Sequence, residues 1–300
     1  MMQGGMGHPG KPDSPNPPAY VFGTTPAIAT EALTRLALQD RAFTRAYGIF
    51  PRDLVLPTPP GRILDLACGT GGWLLVAAHL LQRQGLQLAV GIDKEPAMVA
   101  FARARARVRH LEHLVSFEEG DILTDLERDG ASDLYDLIHS RFIAAFLPES
   151  GWLALVRACK ARLRPGGVLL LCENEIAVTN SPGYNRLSQI FLRALHRSGM
   201  NFGGDVCWGV TALFRKFLHE AGFAAIQVRS HALEFSTRTA HHERLLKDFQ
   251  PGGHTAKPFL LKYGRIAEEE YEAVLQQLWP DFQSEDCYAV VYGLSAWGIA

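Results

Sequence analysis

From about residue 60 to the end of the chain, short apolar runs alternate with longer stretches in which apolar residues return every three or four positions. Runs of four to eight apolar residues bounded by Gly and Pro predict strands buried on both faces, and the stretches between them predict helices packed against those strands. The first run, Ile63 to Ala67, follows Pro59-Pro60-Gly61 and leads through Gly69 and Gly71 into an apolar helix opening at Gly72. Leu86 to Ile92, Leu114 to Phe117, Tyr135 to His139 and Val168 to Cys172 predict four more strands. One helix begins around Pro96, a residue suited to a first helical turn, and another covers Gly151 to Leu163. A helix over Thr211 to Ala221 ends at Gly222, and Ala225 to Leu233 and Cys287 to Trp297 are the sixth and seventh strands. This order predicts an α/β chain with a doubly wound, seven-stranded, Rossmann-like sheet and helical lid insertions.

Ahead of the first strand, Leu33, Leu36, Phe43 and Tyr47 share one face of a helix over Pro26 to Gly48, and Asp40 falls in the same stripe. Asp40 either pairs locally at the stripe's edge or looks into a ligand site that this helix covers. Residues 1–19, rich in Gly and Pro, read as a disordered tail, residues 20–58 as a helical lid, and residues 59–300 as the main domain. Substrate-cap insertions are expected near 174–210, with a helix near Tyr184 to Ser198, and near 236–284.

The single polar residue in the first apolar run is Asp65, and the glycines after it let a ligand approach the backbone at a helix N-terminus. The dinucleotide fingerprint G-x-G-x-x-G is incomplete here, because Gly69-Thr70-Gly71-Gly72-Trp73-Leu74 lacks the last glycine. Asp93, at the end of the second run, can accept hydrogen bonds from both hydroxyls of a ribose.

Composition narrows the partners. With 300 residues, 47% of them hydrophobic, the chain can bury a full core, and a net charge of -1 offers no general attraction to nucleic acid or an anionic membrane. Arg103, Arg105, Arg107 and Arg109 do not share a helix face and predict a solvated surface. Five scattered cysteines with no C-x-x-C pair predict reduced thiols in a cytoplasmic protein. No apolar run reaches the roughly 20 residues of a membrane span, and the N-terminus lacks a signal peptide's apolar core. In His241-His242-Glu243 the adjacent histidines point to different helix faces, and no H-x-x-x-H or cysteine partner completes a metal site, so none is expected.

Asp65-Leu66-Ala67-Cys68-Gly69-Thr70-Gly71 resembles the first motif of class I S-adenosylmethionine-dependent methyltransferases. Tyr135 to Phe142 is similar to that family's fourth motif, and Arg164-Pro165-Gly166-Gly167 before an apolar strand is another of its signatures. The resemblance runs from Tyr20 to Gly298. It is strongest to bacterial small-molecule enzymes related to those of ubiquinone and menaquinone biosynthesis, with Gln39-Asp40, Thr179-Asn180-Ser181 and Trp297-Gly298 in common. It implies S-adenosyl-L-methionine as cofactor, S-adenosyl-L-homocysteine as product, and a last strand inserted antiparallel. It implies a cofactor set of Asp65 at the methionine end, Ala67 where the family often has glycine, Gly69, Gly71, and Asp93 with Lys94 and Met98. Asp121 would accept from the adenine amino group, Ile122 would cover the ring, and His139 and Arg141 would form the rim.

Transfer from a sulfonium needs an in-line nucleophile and exclusion of water, and a base where the nucleophile is a hydroxyl. His139 is the first candidate for that base, with a hydrogen-bonded strand-end histidine as the alternative. Glu173 and Glu175 either bind an amine substrate or the cofactor's rim, or are exposed loop carboxylates. Tyr20, Tyr47, Tyr184 and Trp208 could form an aromatic pocket, with Asp40 and Arg141 completing the substrate side. The expected reaction is methyl transfer to an O, N or activated C nucleophile of a small molecule by a monomer or homodimer. The alternatives are a nicotinamide-dependent oxidoreductase, for which a Tyr-x-x-x-Lys pair is missing, and a non-catalytic cofactor-binding protein of the same fold.

Overall fold

A computed structural model describes residues 26–56, 60–127, 134–243 and 256–300, with side chains from residue 33 onward. The tail expected over 1–19 and the candidate Tyr20 lie outside the described residues. The chain order is α1 (Pro26–Tyr47), β1 (Arg62–Leu66), α2 (Gly72–Leu81), β2 (Leu88–Asp93), α3 (Pro96–Val108), β3 (Val115–Glu119), α4 (Ile122–Glu127) and β4 (Tyr135–Arg141). It continues with α5 (Glu149–Ala161), β5 (Leu163–Asn174), β6 (Val178–Thr179), α6 (Pro182–Arg197), α7 (Val210–Glu220) and β7 (Ala224–Glu234). A helix over 256–264 (α8), then α9 (Glu268–Gln283) and β8 (Ala289–Ile299), completes it.

One mixed sheet runs in the order β3-β2-β1-β4-β5-β8-β6, with β7 also paired to β8. The strands β3, β2, β1, β4 and β5 are mutually parallel, and β8 enters antiparallel to both β5 and β7. The sheet therefore has eight strands, not seven; the addition is the two-residue β6, which pairs with Ala289 and Val290 at the start of β8. So short a strand has no hydrophobic period of its own to announce it.

The central strands are apolar because both faces are covered. On one face α2 and α3 bury Trp73, Leu74, Leu75, Val99 and Ala102 against Ile63, Leu137 and Leu170. On the other, α5 and α7 bury Trp152, Leu155, Phe214 and Phe217 against Leu64, Ile138 and Leu169. A third cluster joins Phe43 and Tyr47 of α1 with Tyr184 and Ile190 of α6, Phe259 of α8 and Tyr271 and Leu278 of α9. It includes Cys172 near the end of β5, so it roofs the edge where the parallel strands end.

One element boundary differs from expectation. Arg164-Pro165-Gly166-Gly167 reads as a turn, yet β5 already begins at Leu163, which pairs with Tyr135. The register then jumps to Leu137 opposite Val168, so the R-P-G-G segment bulges from the ladder, with Gly166 at φ 82°. Asp136 holds the bulge: it accepts from Arg164 Nη1 at 2.8 Å and from the backbone N–H groups of Gly61 and Arg62 at 2.7 and 2.8 Å. The basic residues of α3 also divide. Arg103 donates to Phe117 O at 2.7 Å and Arg105 to Thr70 O at 2.6 Å, while Arg107 and Arg109 are exposed.

Candidate active site

The loop after β1 reverses direction through three left-handed residues, Ala67 (φ 52°), Gly69 (φ 54°) and Gly71 (φ 70°). Ala67 tolerates a conformation that glycine adopts without strain. Cys68 N donates to Ile92 O at 2.9 Å, tying the loop to β2. Asp93 fixes its position: one carboxylate oxygen accepts from Gly69 N at 2.8 Å and the other from Glu95 N at 2.9 Å. Burial pushes the Asp93 carboxyl up, and those two N–H groups oppose the shift.

The two glycines have different duties. A Cβ built on Gly69 meets no protein atom within 4 Å, and Gly69 lines a cavity of about 490 Å³. A Cβ on Gly71 would fall 2.5 Å from the Phe117 ring. Gly71 does not line that cavity, so it lets the loop pack on β3 instead of making room for a ligand.

The cavity opens along the carboxyl ends of the parallel strands, where doubly wound sheets bind ligands. In strand order its edge carries Asp121 after β3, Asp93 of β2, Asp65 of β1, Arg141 of β4 and Glu173 of β5. Ala67, Lys94, Met98 and Ile122 line it too. Asp121 is committed on one side, since its Oδ1 caps α4 by accepting from Leu123 N at 2.9 Å.

His139 is brought close to Asp65 but not onto the cavity wall. It stands within β4, two residues before the strand ends, directly beside Asp65 in the parallel register. Its Nδ1 is 2.7 Å from Asp65 Oδ1, and a carboxylate only accepts, so Nδ1 carries the hydrogen. The ring stacks on Trp73 with centroids 3.6 Å apart, and Trp73 Nε1 donates to Ile49 O at 3.0 Å. Burial lowers the His139 pKa against the opposing pull of Asp65. At 2% exposure and absent from the cavity wall, the imidazole is a buried neighbour of Asp65. Trp73 had no signature in the sequence beyond an apolar helix position.

On the other side, Asp40 reaches across from α1 to Arg141, whose Nη2 also donates to Thr44 Oγ1 at 2.9 Å. Asp40 therefore looks into the site. Glu173 is buried, and Glu175 is not an exposed loop carboxylate: it accepts from Trp208 N at 2.9 Å, Gly209 N at 3.1 Å and Thr211 Oγ1 at 2.6 Å, at the N-terminus of α7. Tyr184 and Trp208 line the cavity with Phe43, Phe142 and Phe191. Tyr47 does not; its hydroxyl donates to Asn174 Oδ1 at 2.8 Å. His242 Nδ1 lies 2.9 Å from Phe235 O, and no cluster of metal-ligating side chains occurs among the described residues.

Residues 63–167 match the family described as Methyltransferase domain. That match covers about a third of the chain. Methyltransferase pytC of Aspergillus terreus is 32% identical over 163 residues, which cover 53% of this chain and 41% of that protein. Demethylmenaquinone methyltransferase of Thermus thermophilus is 39% identical over 122 residues, 40% of this chain and 50% of that one. A carboxy-S-adenosyl-L-methionine synthase of Chromohalobacter salexigens is 29% identical over 192 residues, 59% and 67% of the two chains. The chain thus spans about half the length of the first two relatives. Among solved structures, the YcgJ protein of Bacillus subtilis superposes with a TM-score of 0.48 at 15% identity, covering 90% of this chain and 98% of that one. The matched segment of the methyltransferase domain runs from β1 into the R-P-G-G bulge and includes Asp65, Asp93, Asp121 and Arg141. Glu173, α1 and α6 fall outside it. No helix among the described residues is long and apolar enough to cross a membrane.

Proposed function

We propose that this protein transfers a methyl group from S-adenosylmethionine to an O, N or activated C nucleophile of a small-molecule acceptor held between the sheet edge, α1 and α6. The observation that carries this reading is the row of Asp121, Asp93 and Asp65 along one edge of one cavity. Neighbouring strands lie roughly 4.8 Å apart, so an acid just after β3 and one each on β2 and β1 suit an extended ligand with an adenine, a diol and an ammonium in that order. Two features fit that cofactor. Gly69 leaves open the space a side chain would fill, and Asp65 is an acid at 3% exposure whose charge an ammonium would balance.

Bound there, S-adenosylmethionine supplies an electrophilic methyl group. Asp65, kept in place by His139, would hold the methionine ammonium. Asp93 would accept from the ribose hydroxyls with the lone pairs left over from Gly69 and Glu95. Lys94 lies beside it, and Asp121, Ile122 and Met98 would surround the adenine. Asp40, Arg141, Tyr184 and Trp208 would frame the acceptor, while α1 and α6 exclude water. In this reading the segment 20–58 acts as a lid on the domain over 59–300. The near-neutral charge and the free cysteines support a cytoplasmic enzyme with no nucleic-acid partner.

Calorimetric titration with S-adenosylmethionine, S-adenosylhomocysteine and NADH tests the reading. Binding of the first two and not the third is expected. Binding of NADH alone would overturn it.

A further inference from the structure

Beyond Arg141 the cavity changes character, and its walls include Phe142, Ile176, Tyr184, Phe191 and Trp208. Glu173 stands at this end, at 4% exposure, one strand further from Asp65 than Arg141 is. Its Oε1 accepts from Ile143 N and, at 3.1 Å, from Ala144 N. Both N–H groups follow Phe142, whose φ of 60° turns the chain at the end of β4. A glutamine oxygen would satisfy the same two N–H groups without the cost of burying an ionisable acid. Closing the turn therefore does not account for a carboxyl here.

The charged and titratable groups around it are occupied or neutral. Arg141 on β4 is engaged by Asp40 of α1. Glu175 is taken up by the start of α7, and Tyr184 of α6 and Cys172 of β5 are pushed by burial further toward their neutral forms. Burial likewise pushes the Glu173 carboxyl up to about 8, with the N–H groups of Ile143, Ala144 and Asn174 opposing and the Glu175 charge adding to the rise. Such an acid exchanges its proton close to neutral pH, which suits a general base.

Resting on the methyl-transfer reading above, we propose that Glu173 is the proton acceptor for the nucleophile, and that the nucleophile is the hydroxyl of an apolar, ring-bearing molecule of the phenol class. The hydroxyl proton passes to the second carboxylate oxygen of Glu173 as the oxygen–carbon bond forms. The carbon–sulfur bond breaks with its electron pair staying on sulfur. The products are an aryl methyl ether, a neutral thioether and one proton on Glu173, which leaves to solvent when the site opens. A neutral amine attacks through its lone pair before losing a proton and has less need of such a base. This moves the base from His139, which the cavity does not reach, to the sheet edge one strand beyond it.

The test uses the full chain and Glu173→Gln, which keeps an oxygen for Ile143 N and Ala144 N. Infrared difference spectra between the two proteins, taken without cofactor, should show a protonated-carboxyl band in the wild type that bleaches with a midpoint near pH 8. Methyl-labelled S-adenosylmethionine is then offered with a panel of apolar phenols and the matching anilines. The wild type should methylate phenol oxygen at a rate rising toward pH 8. E173Q should bind S-adenosylhomocysteine as tightly as the wild type yet lose about 100-fold or more in rate, without the pH-dependent rise. Glu173→Asp, which keeps a base on a shorter arm, should fall between them and stands in if E173Q does not fold. A wild-type rate and pH profile in the variants, or methylation of anilines alone, overturns the proposal while the methyl-transfer reading stands. A wild type that binds no S-adenosylhomocysteine overturns both.

Discussion

Asp93 does two things at once, and they can be separated. It accepts from Gly69 N at 2.8 Å, and it lines the cavity where a ribose would lie. Asp93→Ala should weaken S-adenosylmethionine by roughly 1 to 3 kcal/mol, the cost of leaving hydrogen-bonding groups unpaired, and should also lower stability because Gly69 N–H loses its partner. Unchanged affinity in a calorimetric titration would remove the ribose assignment even if the protein were less stable. Two buried groups give opposite pH signatures. Burial lowers the His139 pKa below its ordinary 6.5, so below that pH the unfolded chain binds protons more readily; stability is full above 6.5 and is lost as pH falls through the folded value. Glu173 is raised from 4.5 to about 8, so its contribution is full below 4.5 and is lost as pH rises toward 8. Denaturant titrations from pH 5 to pH 8 should therefore show E173Q gaining on the wild type, by at most roughly 1.4 kcal/mol per pH unit. Parallel curves would mean that Glu173 is ionised throughout. The place of Asp65, Gly69 and Asp93 on the cavity wall was legible in the sequence because it is set within one strand and its turn. Asp40 with Arg141, and Glu173 with Ile143, were hidden because the partners lie 101 and 30 residues apart. No local pattern encodes such pairings.

At the scale of elements, strands and helices with a buried face announced themselves, and those shaped by partners did not. β1, β2 and β4 are near-continuous apolar runs because helices cover both sides of the sheet. The start of β5 was concealed, because Pro165 and two glycines signal a turn while Asp136 keeps the bulge attached to the sheet. The N-terminus of α6 lies two residues ahead of the expected start near Tyr184: Ser181 accepts from Tyr184 N at 3.0 Å, and Pro182 follows at a first-turn position. What the sequence could not reveal is how closely α6 approaches α9. A Cβ on Gly183 would come within 2.7 Å of Leu278 Cα, and Asp281 Oδ2 accepts from Ser181 Oγ and Gly183 N, each at 2.8 Å. Gly183→Ala should therefore force the two helices apart and cost about 1 to 3 kcal/mol, the usual range for overpacking. Thermal unfolding of the variant measures this directly. A neutral or stabilising result would show that the α6–α9 contact yields without loss.

For the whole molecule, the question is how ligands reach Asp65 when α1 lies across the site. Three groups hold α1 down at its far end: Asp40 and Thr44 on Arg141, and Tyr47 on Asn174, with the Tyr47 ring stacked 4.3 Å from that of His231. Arg41 and Arg45 on the same helix are exposed. Each of these contacts can be remade without disturbing the clusters on the two faces of the sheet, so α1 belongs to the part of the fold expected to open locally. On the lid reading proposed above, a ligand under α1 binds the closed form only, and it suppresses opening by a factor of one plus the ratio of its concentration to its dissociation constant. Limited trypsin digestion should therefore cut at Arg41 and Arg45 about 100-fold more slowly with S-adenosylhomocysteine at roughly 100 times its dissociation constant. Arg238 is the internal control, being exposed in the turn after β7 and absent from the cavity wall; its cleavage should not change. Equal slowing at all three sites would point to global stabilisation. No slowing at Arg41 and Arg45 despite measured binding would mean that the cofactor enters and leaves without moving α1, and the lid would have to be sought in α6.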